Sequence, residues 1–162
     1  MSNHAIVRLD NISALHNGAL IKSVKYFVSD TATALDNGSI VALSGLMTGE
    51  REIYKAVAPT ATSKVLLACG VELIYDESTY HGLEDYQNEA GKPFRAIALQ
   101  TGDTFSVTAE ALSGTPAVGS YVTVGTTTQM VVKASVTTEQ VIGTIVAIET
   151  VGANTYYVIN VA

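Results

Sequence analysis

Turn punctuation constrains this chain more than any other feature. Asn17-Gly18, Asp36-Asn37-Gly38, Thr101-Gly102-Asp103, Ser113-Gly114-Thr115-Pro116 and Gly152-Ala153-Asn154 cut it into short runs. Gly and Asn supply the positive φ of tight turns. The runs between them are rich in Val, Ile, Thr and Tyr, whose stiff or planar side chains fit a pleated surface. Short apolar runs at close turn spacing predict a mainly β chain, a barrel or a sandwich.

The runs alternate where one face is to be buried. Val24, Tyr26 and Val28 oppose Lys25 and Phe27. Ser39 to Ser44 leaves the Asn37-Gly38 turn as a strand. Ile53, Lys55 and Val57 oppose Tyr54 and Ala56. Val65 to Tyr75 is almost wholly apolar, which predicts burial on both faces. Ala96 to Leu99 is a further short strand. Beyond Thr104 the strands are Phe105 to Ala109, Tyr121 to Val124, Met130 to Lys133, Val141 to Glu149 and Tyr156 to Val161. Five such strands would close a small barrel and remove their own sticky edges. One segment reads as helix: Ser78 to Gly91, with Ser78 or Thr79 as cap, Leu83, Tyr86 and Ala90 on one face, and Gly91 as terminator.

Three parts follow. Residues 1–23 form an N-terminal arm, 24–103 a central β lobe with a short helix or loop insertion, and 104–162 a small C-terminal barrel-like lobe. In the arm Ile6, Leu9, Ile12 and Leu15 recur every three residues. That is either a helical stripe or an extended segment that finds its partner on another subunit.

Of 162 residues 48% are hydrophobic and only 15% charged, with a net charge of −6. Such a chain can bury a core. The acidic balance excludes a nucleic-acid binder, which needs a Lys/Arg surplus to neutralise phosphate. No apolar stretch is long enough for a membrane-spanning helix, and residues 1–10 do not read as a secretory signal. The single cysteine, Cys69, lies in the most apolar run and reads as a small core side chain.

No reactive constellation stands out. Glu72 to Glu89 carries six acidic residues and no Lys or Arg, but its spacing does not match a calcium-binding loop. It reads as an exposed acidic loop that aids solubility or meets a basic partner. His81 beside Glu84 or Asp85 lacks a third ligand. No nucleophile elbow, phosphate-binding glycine loop or zinc-binding helix motif occurs. The expectation is therefore no catalytic, cofactor or metal residue. The pairs Tyr26-Phe27 and Tyr156-Tyr157 place one ring on each face of a strand, so one ring of each is exposed or covered by a partner.

Two stretches resemble a known family: "LDNGSIVALSGLMTGEREIYKAVAP" from Leu35 and "NEAGKPFRAIALQTGDTFSVTAEALSGTPAVGSYV" from Asn88. Their carriers are Asp36-Asn37-Gly38, Gly49-Glu50-Arg51-Glu52, Ala90-Gly91-Lys92 with Arg95, Gly102-Asp103 with Phe105-Ser106-Val107, and Gly119. They are similar to head decoration (cement) proteins of tailed bacteriophages. The resemblance implies a non-enzymatic protein of the virion's outer capsid surface, assembled in the host cytoplasm. It would bridge subunits of the major capsid protein, sit as a trimer, and bring no catalytic residues. On that footing Ile6, Val7, Leu9, Ile12 and Leu15 are the expected capsid or subunit contacts. The alternatives are a head-fibre base or tail-associated protein, a cell-surface carbohydrate-binding module and, ranked last, an enzyme with a noncontiguous site in which His81 faces two carboxylates.

Overall fold

A computed structural model describes residues 3–74, 78 and 81–162. Thirteen strands appear among them: β1 Val7–Asn11, β2 Ile21–Val28, β3 Thr31–Ala32, β4 Ile40–Leu46, β5 Ile53–Val57, β6 Val65–Ala68, β7 Phe94–Ile97, β8 Thr104–Val107, β9 Leu112–Ser113, β10 Tyr121–Thr123, β11 Met130–Lys133, β12 Val141–Val151 and β13 Asn154–Val161. Among the described residues the only helical pieces are three-residue 3-10 turns. The chain is mainly β, as its turn spacing predicts.

Closure happens in the central sheet rather than the C-terminal one. Strand β2 pairs in parallel with β5, and the antiparallel pairs β5–β4, β4–β6, β6–β7 and β7–β2 complete the circuit. These five strands form a ring without a free edge, and β3 extends β2 as a hairpin. Its two-residue turn, Ser29 (φ 46°) and Asp30 (φ 68°), has both residues left-handed, the conformation that matches strand twist. The side chain of Lys55 bonds Asp30 there.

The C-terminal strands make a second sheet in the order β1-β8-β13-β12-β10-β11-β9. This sheet is not a closed five-stranded barrel, but it must curl. Strands β8 and β9 are five spacings apart in that order, about 24 Å if flat. Only Thr108 to Ala111 connects Val107 to Leu112, a reach of at most ~18 Å.

The N-terminal arm proves to be a sheet strand. Val7 pairs with Val107 and Arg8 with Ser106. Ile6 N donates to Thr108 Oγ1 (3.1 Å), and Thr108 N donates to Ile6 O (3.1 Å). Every third residue here is apolar because the strand passes through a bulge between Arg8 and Asn11 and then a 3-10 turn, Ser13–Leu15. The division at residues 1–23, 24–103 and 104–162 is accordingly crossed: Val7–Asn11 belongs to the sheet built from residues 104–161.

One core joins the two sheets. Along β4, Ile40 packs with Phe105, Met130 and Ile145, whereas its neighbour Val41 packs inside the barrel with Val24, Ala56 and Phe94. The same split separates Leu67 from Leu66 on β6, and Ile97 from Ala96 on β7. Strands buried on both faces read as continuous apolar runs because both alternating sets must leave water. That explains Val65–Ala68, although the strand stops there: at Gly70 the backbone bonds the side chain of Asn37 instead of a neighbouring strand.

The helix expected over Ser78 to Gly91 is absent among the described residues. The segment holds one 3-10 turn, Leu83–Asp85, capped by Gly82 N donating to Asp85 Oδ2 (2.9 Å). Thr79, the alternative cap, lies outside the described residues, as do Tyr75, Asp76 and Glu77 from the strand and acidic-loop expectations.

Candidate docking surface

The Asp36-Asn37-Gly38 turn is more than punctuation. Asn37 is fully buried and uses all its amide capacity. Its Nδ2 donates to Gly70 O (3.0 Å) and Glu72 Oε1 (3.4 Å). Its Oδ1 accepts from Gly70 N (2.7 Å) and Asn88 Nδ2 (2.9 Å). Asn88 Nδ2 also donates to Leu35 O (2.9 Å), and Tyr86 Oη donates to Asn88 Oδ1 (3.1 Å). Asp36 accepts from His4 Nδ1 (2.8 Å), Ala5 N (3.3 Å) and Gln87 Nε2 (2.8 Å). His4 N donates to Glu84 O (2.8 Å). Gly70 must be glycine, since a Cβ would stand 1.9 Å from Asn88 Oδ1. Gly38 (φ +79°) lies against Val107 and Ala111, which seats the turn on the second sheet.

This network fixes both ends of the loop from Gly70 to Pro93, and over residues 71–74 the polarity is inverted, whereas Asp85 and Glu89 farther along are exposed. Glu72 points inward to Asn37. Burial pushes its carboxyl above the ordinary range, opposed by the Asn37 amide and the charge of Arg95. Val71, Leu73, Ile74 and Leu83 face outward, with Val71 and Leu73 about 60% exposed (61% and 58%). Leu73 N donates to Val71 O (2.9 Å), a tight three-residue turn with Glu72 at its centre. A solvated loop would place its acid outside and its leucine inside. Between this loop and the barrel lies a cleft of about 390 Å³ lined by Ile21, Val71, Tyr86, Pro93, Phe94 and others.

A wider cleft of about 700 Å³ behind the loop is bordered by His4, His81, Asp85 and Glu89. Most of its ionisable groups hold structure. Asp85 caps the 3-10 turn, Glu89 pairs with Lys92 (2.6 Å), and His4 is bound to Asp36. Among the described residues no group of three His, Cys, Asp or Glu side chains is placed to hold a metal ion. Cys69 is buried, and burial raises its thiol pKa despite Arg95 nearby.

The five residues singled out in the arm are mostly internal. Ile6 (2% exposed) and Ile12 (1%) lie in the core, Val7 is buried, and Leu9 packs against them. Burial inside the monomer removes Ile6, Val7 and Ile12 as capsid or subunit contacts. Only Leu15 presents its side chain to solvent. The outward rings of the aromatic pairs are covered within the chain as well. Lys55 Nζ lies 5.3 Å from the Phe27 ring centre and the Arg8 guanidinium 4.7 Å from that of Tyr156. Among the described aromatics only Tyr121 is exposed.

Sequence reasoning missed the exposed set of Val71, Leu73, Ile74 and Leu83. The run from Val65 looked almost uniformly buried, and its two breaks, Gly70 and Glu72, mark where the chain turns outward. No family model, curated protein or solved structure matches the chain.

Proposed function

We propose that the chain is a structural docking protein of a tailed-phage head, a decoration protein that binds the outer face of the shell and bridges major capsid subunits. The observation that carries the reading is a set of four exposed apolar side chains, Val71, Leu73, Ile74 and Leu83, on segments anchored at Gly70 and Asn88 by the buried asparagine network. An exposed apolar patch removes its own area from water when a partner covers it. The sequence resemblance supports the same reading, because its two stretches begin at Leu35 and Asn88, the residues that anchor this loop. Its carriers Asp36, Asn37 and Gly38 are network members.

Repetition on a lattice turns weak contacts into a strong clamp. A trimer around local three-fold axes would place three such loops on neighbouring capsid subunits. The test is cryo-EM of expanded heads lacking the protein, before and after its addition, with thermal rupture of the heads measured in parallel. Added density repeating over the shell and a raised rupture temperature are expected. Heads that neither retain the protein nor gain toughness would overturn the proposal. Density only at a vertex or on the tail would replace it with the head-fibre or tail reading.

A further inference from the structure

Two Asn-Gly pairs occur in the sequence, Asn17-Gly18 and Asn37-Gly38. The pair is chemically reactive in any flexible chain, because glycine has no Cβ to hinder its own backbone nitrogen. That nitrogen can attack the preceding side-chain amide carbon. The two pairs have opposite surroundings here.

Asn17 is exposed, as are His16, Gly18 and Ala19. No heavy atom lies within 4 Å of where a Gly18 Cβ would stand. Two hydrogen bonds at the surface hold Asn17 in place: Ala19 N donates to its Oδ1 (3.1 Å) and Leu20 N to its backbone O (3.1 Å). Asn37 is fully buried, with four side-chain hydrogen bonds, and Gly38 lies between Val107 and Ala111. To react, each asparagine must rotate about ψ to bring the next nitrogen onto its Cγ. Asn17 starts at ψ 98° and needs only a surface turn to open. Asn37 cannot rotate without releasing Gly70, Asn88 and the start of β4.

We propose that Asn17 is a site of spontaneous deamidation through a succinimide, and that the fold protects Asn37 from the same chemistry. The Gly18 nitrogen bonds to Asn17 Cγ and gives its proton to solvent. The Cγ–Nδ2 bond breaks, and the amide leaves as ammonia after taking a proton. Water then opens the ring at either carbonyl, giving aspartate or isoaspartate. The sum is asparagine plus water to an acid plus ammonia, with no oxidant or reductant. The product carries one more negative charge than the −6 of the unmodified chain. In its isoaspartyl form it has an extra backbone carbon just before β2.

The test is incubation of the full chain in mildly alkaline buffer, followed by tryptic mass spectrometry. Cleavage after Arg8, Lys22, Lys25 and Arg51 puts the two asparagines on separate peptides, 9–22 and 26–51. A mass gain of about 1 Da should accumulate on 9–22, assigned to Asn17 by fragmentation, more than about tenfold faster than on 26–51. In urea the two rates should converge. Gly18→Ala should slow the gain and Asn17→Gln should abolish it. Equal native rates, or a gain on 26–51 alone, would overturn the proposal. So would a native chain in which 9–22 stays unchanged while both peptides react in urea.

Discussion

Leu35 and Asn88 exchange both backbone hydrogen bonds across 53 residues, each 3.0 Å long, as a single antiparallel bridge. This bridge closes the neck of the loop that carries the exposed apolar side chains. Below it Asn88 and Asn37 join side chain to side chain (2.9 Å). A segment with no strand among its described residues is thus held by two asparagines, one from each stretch that carries the family resemblance.

Asn37→Ala should cost about 2–4 kcal/mol, because it leaves Gly70 and Asn88 with buried unpaired groups. Asn88→Ala should cost a similar amount, and the double variant less than the sum, since both act on one network. Denaturant unfolding of the four proteins checks this. Additive losses would show that the two asparagines work independently.

Ile12→Ala should destabilise the monomer by about 2–5 kcal/mol, as for other large-to-small changes in a packed core. Leu15→Ala should change stability by less than about 0.5 kcal/mol. Thermal or denaturant melts distinguish the two. Equal small effects would mean that the N-terminal strand is not held as described.

Val71→Ser with Leu73→Ser should leave the melting temperature nearly unchanged, because both side chains are largely exposed. Affinity for heads should fall about tenfold or more through lost apolar burial. Sedimentation of the protein with purified heads measures it. Full retention would move the docking face elsewhere.

Glu139 lies well below the usual carboxylate range, held first by Lys133 (2.5 Å) and then by backbone amides including those of Thr137 (2.8 Å) and Thr138 (3.1 Å). A depressed carboxyl contributes stability that is present above its unfolded pKa and lost as pH falls through the folded value. Glu139→Gln should therefore be less stable at neutral pH, and its melting curve should approach that of the parent in strong acid. A gap independent of pH would assign the effect to packing rather than charge.

Glu72 gives the opposite sign. Its raised carboxyl weakens the fold above the folded pKa, and that penalty disappears below the unfolded one. Glu72→Gln keeps an oxygen for the Asn37 amide and removes the charge. It should melt higher at neutral pH and match the parent once both are uncharged in acid. A lower melting temperature at neutral pH would show that the Arg95 attraction outweighs burial.

Strand positions were legible because alternation and turn residues are local. Met130–Lys133 has its predicted bounds, and of the alternating set Val24, Tyr26 and Val28 the first two are buried and the third is exposed. The helix over 78–91 failed for want of long-range information. Leu83 and Tyr86 have helical spacing, but Asn88 is drawn into the bridge to Leu35, and a short segment has too few turns to resist. The arm failed likewise: its apolar residues carry no mark of the partner they find at Val107, a hundred residues away. Within the candidate surface, Asp36, Asn37 and Gly38 were visible as a turn, but their bonds to His4, Gly70 and Asn88 were not.

By itself the amino-acid order determined a mainly β chain, the places where it turns and the positions of most strands, since φ preference and side-chain alternation act over a few residues. Tertiary structure alone decided that β2 and β7 close the central ring, that β1 joins the second sheet, and that Glu72 turns inward while Val71 and Leu73 turn out. Those choices depend on which distant groups satisfy buried donors and acceptors, a condition that no window of neighbouring residues contains.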